Sequence, residues 1–306
     1  MIVEKFKYTI WITNTILILG LIFGLVFGLN IGLDFSGGSI TTIEIGQQYN
    51  TTDVDNVLSN LGIHDAQVVK AGNDWTQAQI RMKVTQAEEE AQTQTSSNIL
   101  AGIQKTYPNA SIVSQDKVGG VASTQLVWNA FLAIIIACGL MLVYIWIRFQ
   151  LFQGIGAVIA LLHDVGIMIV FMAFFQVQIN SSFIAAILTI VGYSINDTIV
   201  LFDRIRDNNK VMGLKKYSRE EIANTSFLET LGRTINTAMT TIIMVAFLYI
   251  FGVQSIKEFS FPLLVGIVTG VYSSMFIAVP IATILQKKYL DKGKPSGRAK
   301  ELKESK

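Results

Sequence analysis

The sequence predicts a polytopic α-helical membrane protein with six transmembrane helices and one α+β domain outside the bilayer, and three observations predict it. Hydrophobic residues make up 51% of the 306 positions and charged residues 15%, with a mean hydropathy of +0.48. That balance is too apolar for a water-soluble chain of this length. The apolar residues gather into six runs, each able to cross about 30 Å of hydrocarbon at about 1.5 Å per residue. Lysine and arginine gather in alternate loops, the pattern of short cytoplasmic loops.

The first run, Tyr8 to Leu29, follows Lys5 and Lys7. It is longer than a signal-peptide core, and Asn30-Ile31-Gly32-Leu33-Asp34 offers no small-residue cleavage site, so an uncleaved anchor is expected rather than a removed leader. Residues 1–30 thus form the N-terminus and first span, and residues 31–124 a separate domain. In that domain Ser39 to Ile45 and Gln79 to Val84 alternate as strands do, with Ala66 to Lys70 and Ser111 to Ser114 as shorter candidates. Thr52 to Leu61 and Glu88 to Lys105 read as helices. Thr52 is a candidate cap for the first, and Tyr107-Pro108-Asn109 a stop for the second. The order βαββαβ is that of a ferredoxin-like unit, whose helices cover one face of an antiparallel sheet.

Residues 125–290 hold the other runs, near Gln125 to Ile147, Phe152 to Phe175, Ser181 to Phe202, Gly232 to Phe251 and Phe259 to Leu285. Arg148 follows the second span, and Arg204, Arg206, Lys210, Lys215, Lys216 and Arg219 fill the loop 203–231. Within it, Ser218-Arg219-Glu220-Glu221 is a capping box from which a helix is expected to run into the fifth span. Lys287 and Lys288 lead to a lysine-rich tail, 291–306, expected to be disordered or to lie on anionic lipid. The opposite side carries Asp53, Asp55, Asp65, Asp74 and Glu88 to Glu90. Both termini are therefore expected in the cytoplasm and residues 31–124 outside the cytoplasmic membrane. The net charge of +2 is spread over several loops, which argues against a nucleic-acid partner. Cys138 is the single cysteine, so an intrachain disulfide and a thiolate metal cluster are excluded.

Charges inside a bilayer are the strongest functional signal, since one at mid-membrane costs at least about 2.5–3.5 kcal/mol. The third span contains His163-Asp164, the fourth Asn196-Asp197, and Arg233 stands at the entry of the fifth. Thr189, Tyr193, Asn196 and Asp197 follow i, i+4, i+7, i+8, and Arg233, Asn236, Thr237, Thr240 and Thr241 follow i, i+3, i+4, i+7, i+8, each a single helical stripe. Two such stripes on consecutive antiparallel helices can face each other, setting a carboxylate against a guanidinium. Asn196 and the threonines serve equally well as interhelical hydrogen-bonding groups. Arg233 can also be a flanking charge that snorkels outward, and His163 either a neutral hydrogen-bonding group or a proton carrier. Gly266-Ile267-Val268-Thr269-Gly270 permits close helix approach, and Pro280 is expected to kink the sixth span or bound its last turn.

Three stretches resemble the SecF family of protein-export membrane subunits. Gly32-Leu33-Asp34-Phe35-Ser36-Gly37-Gly38 is similar to that family's G-x-D-F-x-G-G motif, shared with its partner SecD. Gly192-Tyr193-Ser194-Ile195-Asn196-Asp197-Thr198-Ile199-Val200-Leu201-Phe202-Asp203-Arg204-Ile205-Arg206 resembles the fourth-span signature and is the most specific match. Thr230-Leu231-Gly232-Arg233-Thr234-Ile235-Asn236-Thr237, with Thr240-Thr241, is similar to the fifth-span pattern, and Leu162-His163-Asp164-Val165 also resembles the family. The resemblance implies half of a resistance-nodulation-division type core, pairing with SecD. Together they would assist the SecYEG channel and the SecA motor in moving unfolded preproteins outward on a proton or sodium gradient. It implies no enzyme activity and no cofactor beyond the coupling ion. It assigns ion coupling to Asp197, Arg233, Asn196, Thr237, Thr241 and, more weakly, Asp164, with Asp34, Gly37 and Gly38 as the external motif. Membrane lipid surrounds the whole.

Two other functions fit less well. A half-exporter for lipids or drugs needs a larger external domain with an apolar cleft. An intramembrane aspartyl protease using Asp164 and Asp197 would carry a G-x-G-D motif, which Gly192 to Asp197 does not provide.

Overall fold

The computed structural model describes residues 2–64, 66–71, 75–82, 92–214 and 216–290. Asp65, Asp74, Glu88 to Glu90, Lys215, the ends of the strand expected to Val84 and of the helix expected from Glu88, and the tail 291–306 lie outside them. Among the described residues six helices are long and apolar enough to cross a membrane, at the places the hydropathy pattern marks.

The domain contains β1 (Gly38–Glu44), α3 (Thr51–Asn60), β2 (Ala66–Ala71), β3 (Gln77–Met82), α4 (Gln92–Gln104) and β4 (Ser111–Val118), preceded by α1 (Ile2–Phe27) and the single turn α2 (Leu33–Ser36). Every strand pairing is antiparallel, in the order β2-β3-β1-β4. This is the expected ferredoxin-like sheet. Alternation sets its core: Ala78, Ile80 and Met82 of β3 turn inward while Gln77, Gln79 and Arg81 turn to the other face. Ile43, Leu58, Ile80, Ile99 and Ile103 are almost completely buried. Each such side chain contributes about 1.5–3 kcal/mol. The Tyr107 hydroxyl donates to Asp53 Oδ2 at 2.7 Å and joins the end of α4 to α3. One local expectation fails. Thr52 does not cap α3, because the helix begins a residue earlier and Asn50 takes the cap position without a side-chain bond.

The remaining helices are α5 (Gly120–Arg148), α6 (Leu151–Phe174), α7 (Ser181–Met212), α8 (Arg219–Phe251), α9 (Gln254–Ser273), a π-helical segment (Ser274–Ala278) and α10 (Val279–Leu290). The bundle core is built from α6, α7, α9, the π segment and α10, including Met168, Met172, Ala186, Ile190, Phe202 and Ala278. Small residues permit this. A Cβ at Gly266 would collide with Ile190, and one at Gly270 would come within 3.1 Å of Ser194 Cβ, so the G-x-x-x-G stretch presses α9 onto α7. Gly156 of α6 likewise lets the Ala278 carbonyl approach. The sixth span is interrupted where Pro280 suggested: the helix widens into the π turn just before the proline, which lacks the N–H an α-helical bond would use. The stretch 203–231 departs from a loop. Among its described residues only 213, 214 and 216–218 are not helix, because α7 runs on to Met212 and α8 starts at the expected Ser218–Glu221 capping box. Glu229 ties the hairpin, accepting from Arg204 Nε at 2.7 Å and Asn208 Nδ2 at 2.6 Å.

Candidate functional site

The external motif acts at the N-terminal end of α7. Asp34 Oδ2 accepts the Ser181 N–H at 2.8 Å, supplying a carboxylate to the first turn of the helix, where unbonded N–H groups and the helix dipole favour negative charge. Gly32 N–H donates to the Ile179 carbonyl at 2.8 Å, and a Cβ at Gly32 would lie 2.9 Å from Asn180 Cβ. Gly37 and Gly38 have φ of +68° and +131°, values that side-chain-bearing residues avoid, and they turn the chain into β1. Asn180 Oδ1 accepts the Phe183 N–H at 3.2 Å, and its Nδ2 donates to Glu258 Oε2 at 2.6 Å. On the sheet face, burial pushes the Arg81 guanidinium down from its ordinary pKa while the Glu258 charge opposes the shift. The motif therefore fastens the end of the first span and the domain to the start of α7.

Asp197 stands halfway along α7. Its Oδ1 accepts from Thr234 Oγ1 at 2.6 Å, and its Oδ2 is inaccessible and has no hydrogen-bond partner among the described residues. Arg233 makes no ion pair with it among the described residues, although its charge acts on the carboxylate. The expected pairing is corrected accordingly: Thr234, one residue further and on the buried face of α8, takes the direct bond, while Arg233 is exposed. The two stripes meet in one place, where the Tyr193 hydroxyl donates to Thr241 Oγ1 at 3.5 Å. Thr189, Asn196, Asn236, Thr237 and Thr240 are exposed. The hydroxyls of Thr237, Thr240 and Thr241 donate to carbonyls of α8 itself. A polar stripe on α7 and α8 is thus left exposed among the described residues.

Asp164 does not join this site. It is fully buried between α6, α7 and α9, and its Oδ2 accepts from Ser194 Oγ at 2.7 Å and Ser273 Oγ at 2.8 Å. Beside it the Thr198 and Ser274 hydroxyls are 2.8 Å apart. Sequence reasoning missed Thr234, Ser194 and Ser273 because the stripes were drawn through the most polar residues. The recurrence Thr230, Thr234 and the Ser273-Ser274 pair in an apolar run are the signals that point to them.

Fold and site together define a class: half of a resistance-nodulation-division type core, six membrane helices with an α+β domain inserted after the first and a buried carboxylate on the fourth. The sequence profile of the family described as "Protein export membrane protein SecD/SecF, C-terminal" matches residues 98–288. The chain is 35% identical over 263 residues to the protein translocase subunit SecF of Rickettsia bellii, covering 85% of this chain and 84% of that one. To the SecF of Sebaldella termitidis it is 35% identical over 284 residues, 92% of this chain and 91% of the other. A crystal structure of SecDF, a translocon-associated membrane protein from Thermus thermophilus, superposes with a TM-score of 0.80 at 27% identity, covering 94% of this chain. The chain spans 38% of that longer protein. The chain belongs to the SecD/SecF family, on its SecF side.

Proposed function

We propose that the chain is one half of an ion-driven core that pairs with a SecD half and uses a proton or sodium gradient to promote preprotein export through the SecYEG channel alongside the SecA motor. Asp197 loads and unloads the cation, Thr234 orients its carboxylate, and Arg233 is the fixed charge whose attraction to it changes with loading. Asn196, Thr237 and Thr241 line the approach. The observation that carries this reading is the Asp197 carboxylate, with one oxygen bonded and the other without a partner among the described residues, beside a polar stripe that the chain leaves open. Polar groups left to lipid at that depth are costly, so a second helical half covering the stripe accounts for their presence.

Neutralising the carboxylate weakens its attraction to Arg233 and its bond to Thr234, since hydrogen bonds to charged groups are the stronger ones. The α7–α8 contact then shifts, and α7 carries the shift to Asp34 and the domain, which biases the emerging preprotein against backsliding. On this reading both termini are cytoplasmic and residues 31–124 face outward. The role is transport rather than catalysis.

Asp197→Asn in membrane vesicles is expected to abolish gradient-dependent stimulation of export while leaving the complex assembled. Normal stimulation by that variant would refute the assignment. Affinity purification of the solubilised chain is expected to recover a SecD-like protein and the channel, and recovery of the chain alone would remove the pairing.

A further inference from the structure

One buried carboxylate takes no part in the site just described. Asp164 is 0% exposed, and His163 beside it is 9% exposed. Both serine hydroxyls that reach the carboxyl, from Ser194 and Ser273, donate to Oδ2, while Oδ1 lies 3.2 Å from His163 Nδ1. His163 Nε2 has no partner among the described residues. The groups around the pair are few. α6 supplies His163 itself. α9 supplies Ser273 and Tyr272, whose ring centroid is 6.0 Å from the imidazole and whose hydroxyl donates to the Thr9 carbonyl of α1 at 3.3 Å. α7 supplies Ser194 and Thr198, with Asp197 bonded instead to Thr234 of α8, and the π segment supplies Ser274. Among the described residues no lysine or arginine bonds to Asp164.

We infer that His163 and Asp164 form a second proton-binding site inside this half, holding one proton between Asp164 Oδ1 and His163 Nδ1 and exchanging it through His163 Nε2. A buried carboxylate with no lysine or arginine bonded to it among the described residues carries a desolvation cost that its hydrogen bonds offset only in part, and one proton removes that cost. Ser194 and Ser273 both occupy Oδ2, which leaves Oδ1 as the oxygen that faces His163 Nδ1 and can share a hydrogen with it. An imidazole can take a proton at one nitrogen and release one from the other, and the unpartnered Nε2 is the free end of that relay. A nitrogen ligand also favours a proton over sodium, a hard cation that takes oxygen. The site lies where α6, α7 and α9 meet, immediately before the π segment. A carboxyl accepts hydrogen bonds less strongly than a carboxylate, so loading loosens Ser194 and Ser273, and with them the hold of α6 on the other two helices. The use of this site in transport rests on the reading of Asp197 above, whereas its occupancy does not.

The test is infrared difference spectroscopy of the full chain in lipid nanodiscs, stepped from alkaline to acid buffer. A protonated-carboxyl band is expected that persists in Asp197→Asn and is lost in Asp164→Asn. Ser194→Ala and Ser273→Ala, which keep the carboxyl and remove one donor each, are expected to move that band to higher frequency, and His163→Gln to shift its pH midpoint. These variants keep the question open to refutation should Asp164→Asn fail to fold. The inference is overturned if every carboxyl band disappears with Asp197→Asn alone, if neither serine variant moves a band, or if the change lost with Asp164 follows sodium rather than pH. Loss of gradient-dependent export in Asp197→Asn with the Asp164 band intact keeps the two readings apart.

Discussion

The Thr234 hydroxyl lies 2.6 Å from Asp197 Oδ1, so the carboxylate of the fourth membrane helix is held by a neutral donor while the neighbouring Arg233 stays exposed. A hydrogen bond to a charged group is worth about 1.5–3 kcal/mol, equivalent to about ten- to a hundredfold in a loading equilibrium. Thr234→Val is therefore expected to shift the ion dependence of export stimulation by about that factor. Thr234→Ser, which keeps the hydroxyl, is expected to stay close to the parent. Titration of export against the imposed gradient in vesicles measures both, and an unchanged Thr234→Val curve would remove Thr234 from the site.

Asp34 is expected to matter through the N-terminus of α7. Replacing a side chain that caps a helix costs about 0.5–2 kcal/mol, so Asp34→Ala lowers the thermal midpoint of the solubilised chain and opens the junction near Ser181 to protease. Asp34→Asn, which keeps an acceptor but loses the charge, falls between the two. Equal protease resistance in all three proteins would mean that the bond to Ser181 contributes nothing.

Gly270 and Gly139 make a matched pair. A methyl group at Gly270 meets Ser194 at 3.1 Å, whereas nothing lies within 4 Å of one at Gly139. Gly270→Ala is expected to destabilise the bundle by about 1–3 kcal/mol, as overpacking does, and Gly139→Ala to be neutral. Thermal unfolding in detergent compares them directly.

In the external domain, burial, with the charges of Asp55 and Tyr107 adding to it, pushes the Tyr49 hydroxyl from the ordinary 10.0 up to about 12. The hydroxyl donates to the Gln77 carbonyl at 3.1 Å. Between those values the folded domain holds a proton that the unfolded chain has lost, so stability falls as pH rises through the window and is complete below it. Alkaline unfolding followed by circular dichroism is expected to show this loss, and Tyr49→Phe to remove it.

Much of this was legible in the sequence. Hydropathy marks all six spans, and the alternation through Gln79 and Ile80 marks the sheet, because both periods are imposed by the surface each element buries. The Ser218–Glu221 box is equally legible, being a local bond between residues three apart. The partner of Asp197 was not. Stripes of polar residues show which face is unlike lipid, but most of that face is exposed among the described residues, so the charge pattern gives no pointer to the internal contact. Thr234 and Ser273 read as ordinary small residues of apolar runs, and only the angle between helices turns them toward a carboxylate. The continuation of α7 past Phe202 was hidden for a different reason: arginines and aspartates there look like a loop until Glu229 is seen bracing them from the next helix.

Asp197 lies at the midpoint of an unbroken helix of 32 residues, a rod about 48 Å long. Leaning such a rod by about 5° around its centre swings each extremity by about 2 Å in opposite directions. A lean about its middle therefore displaces the end beneath the Asp34 hook and the end clamped by Glu229 in opposite senses, around a single fulcrum.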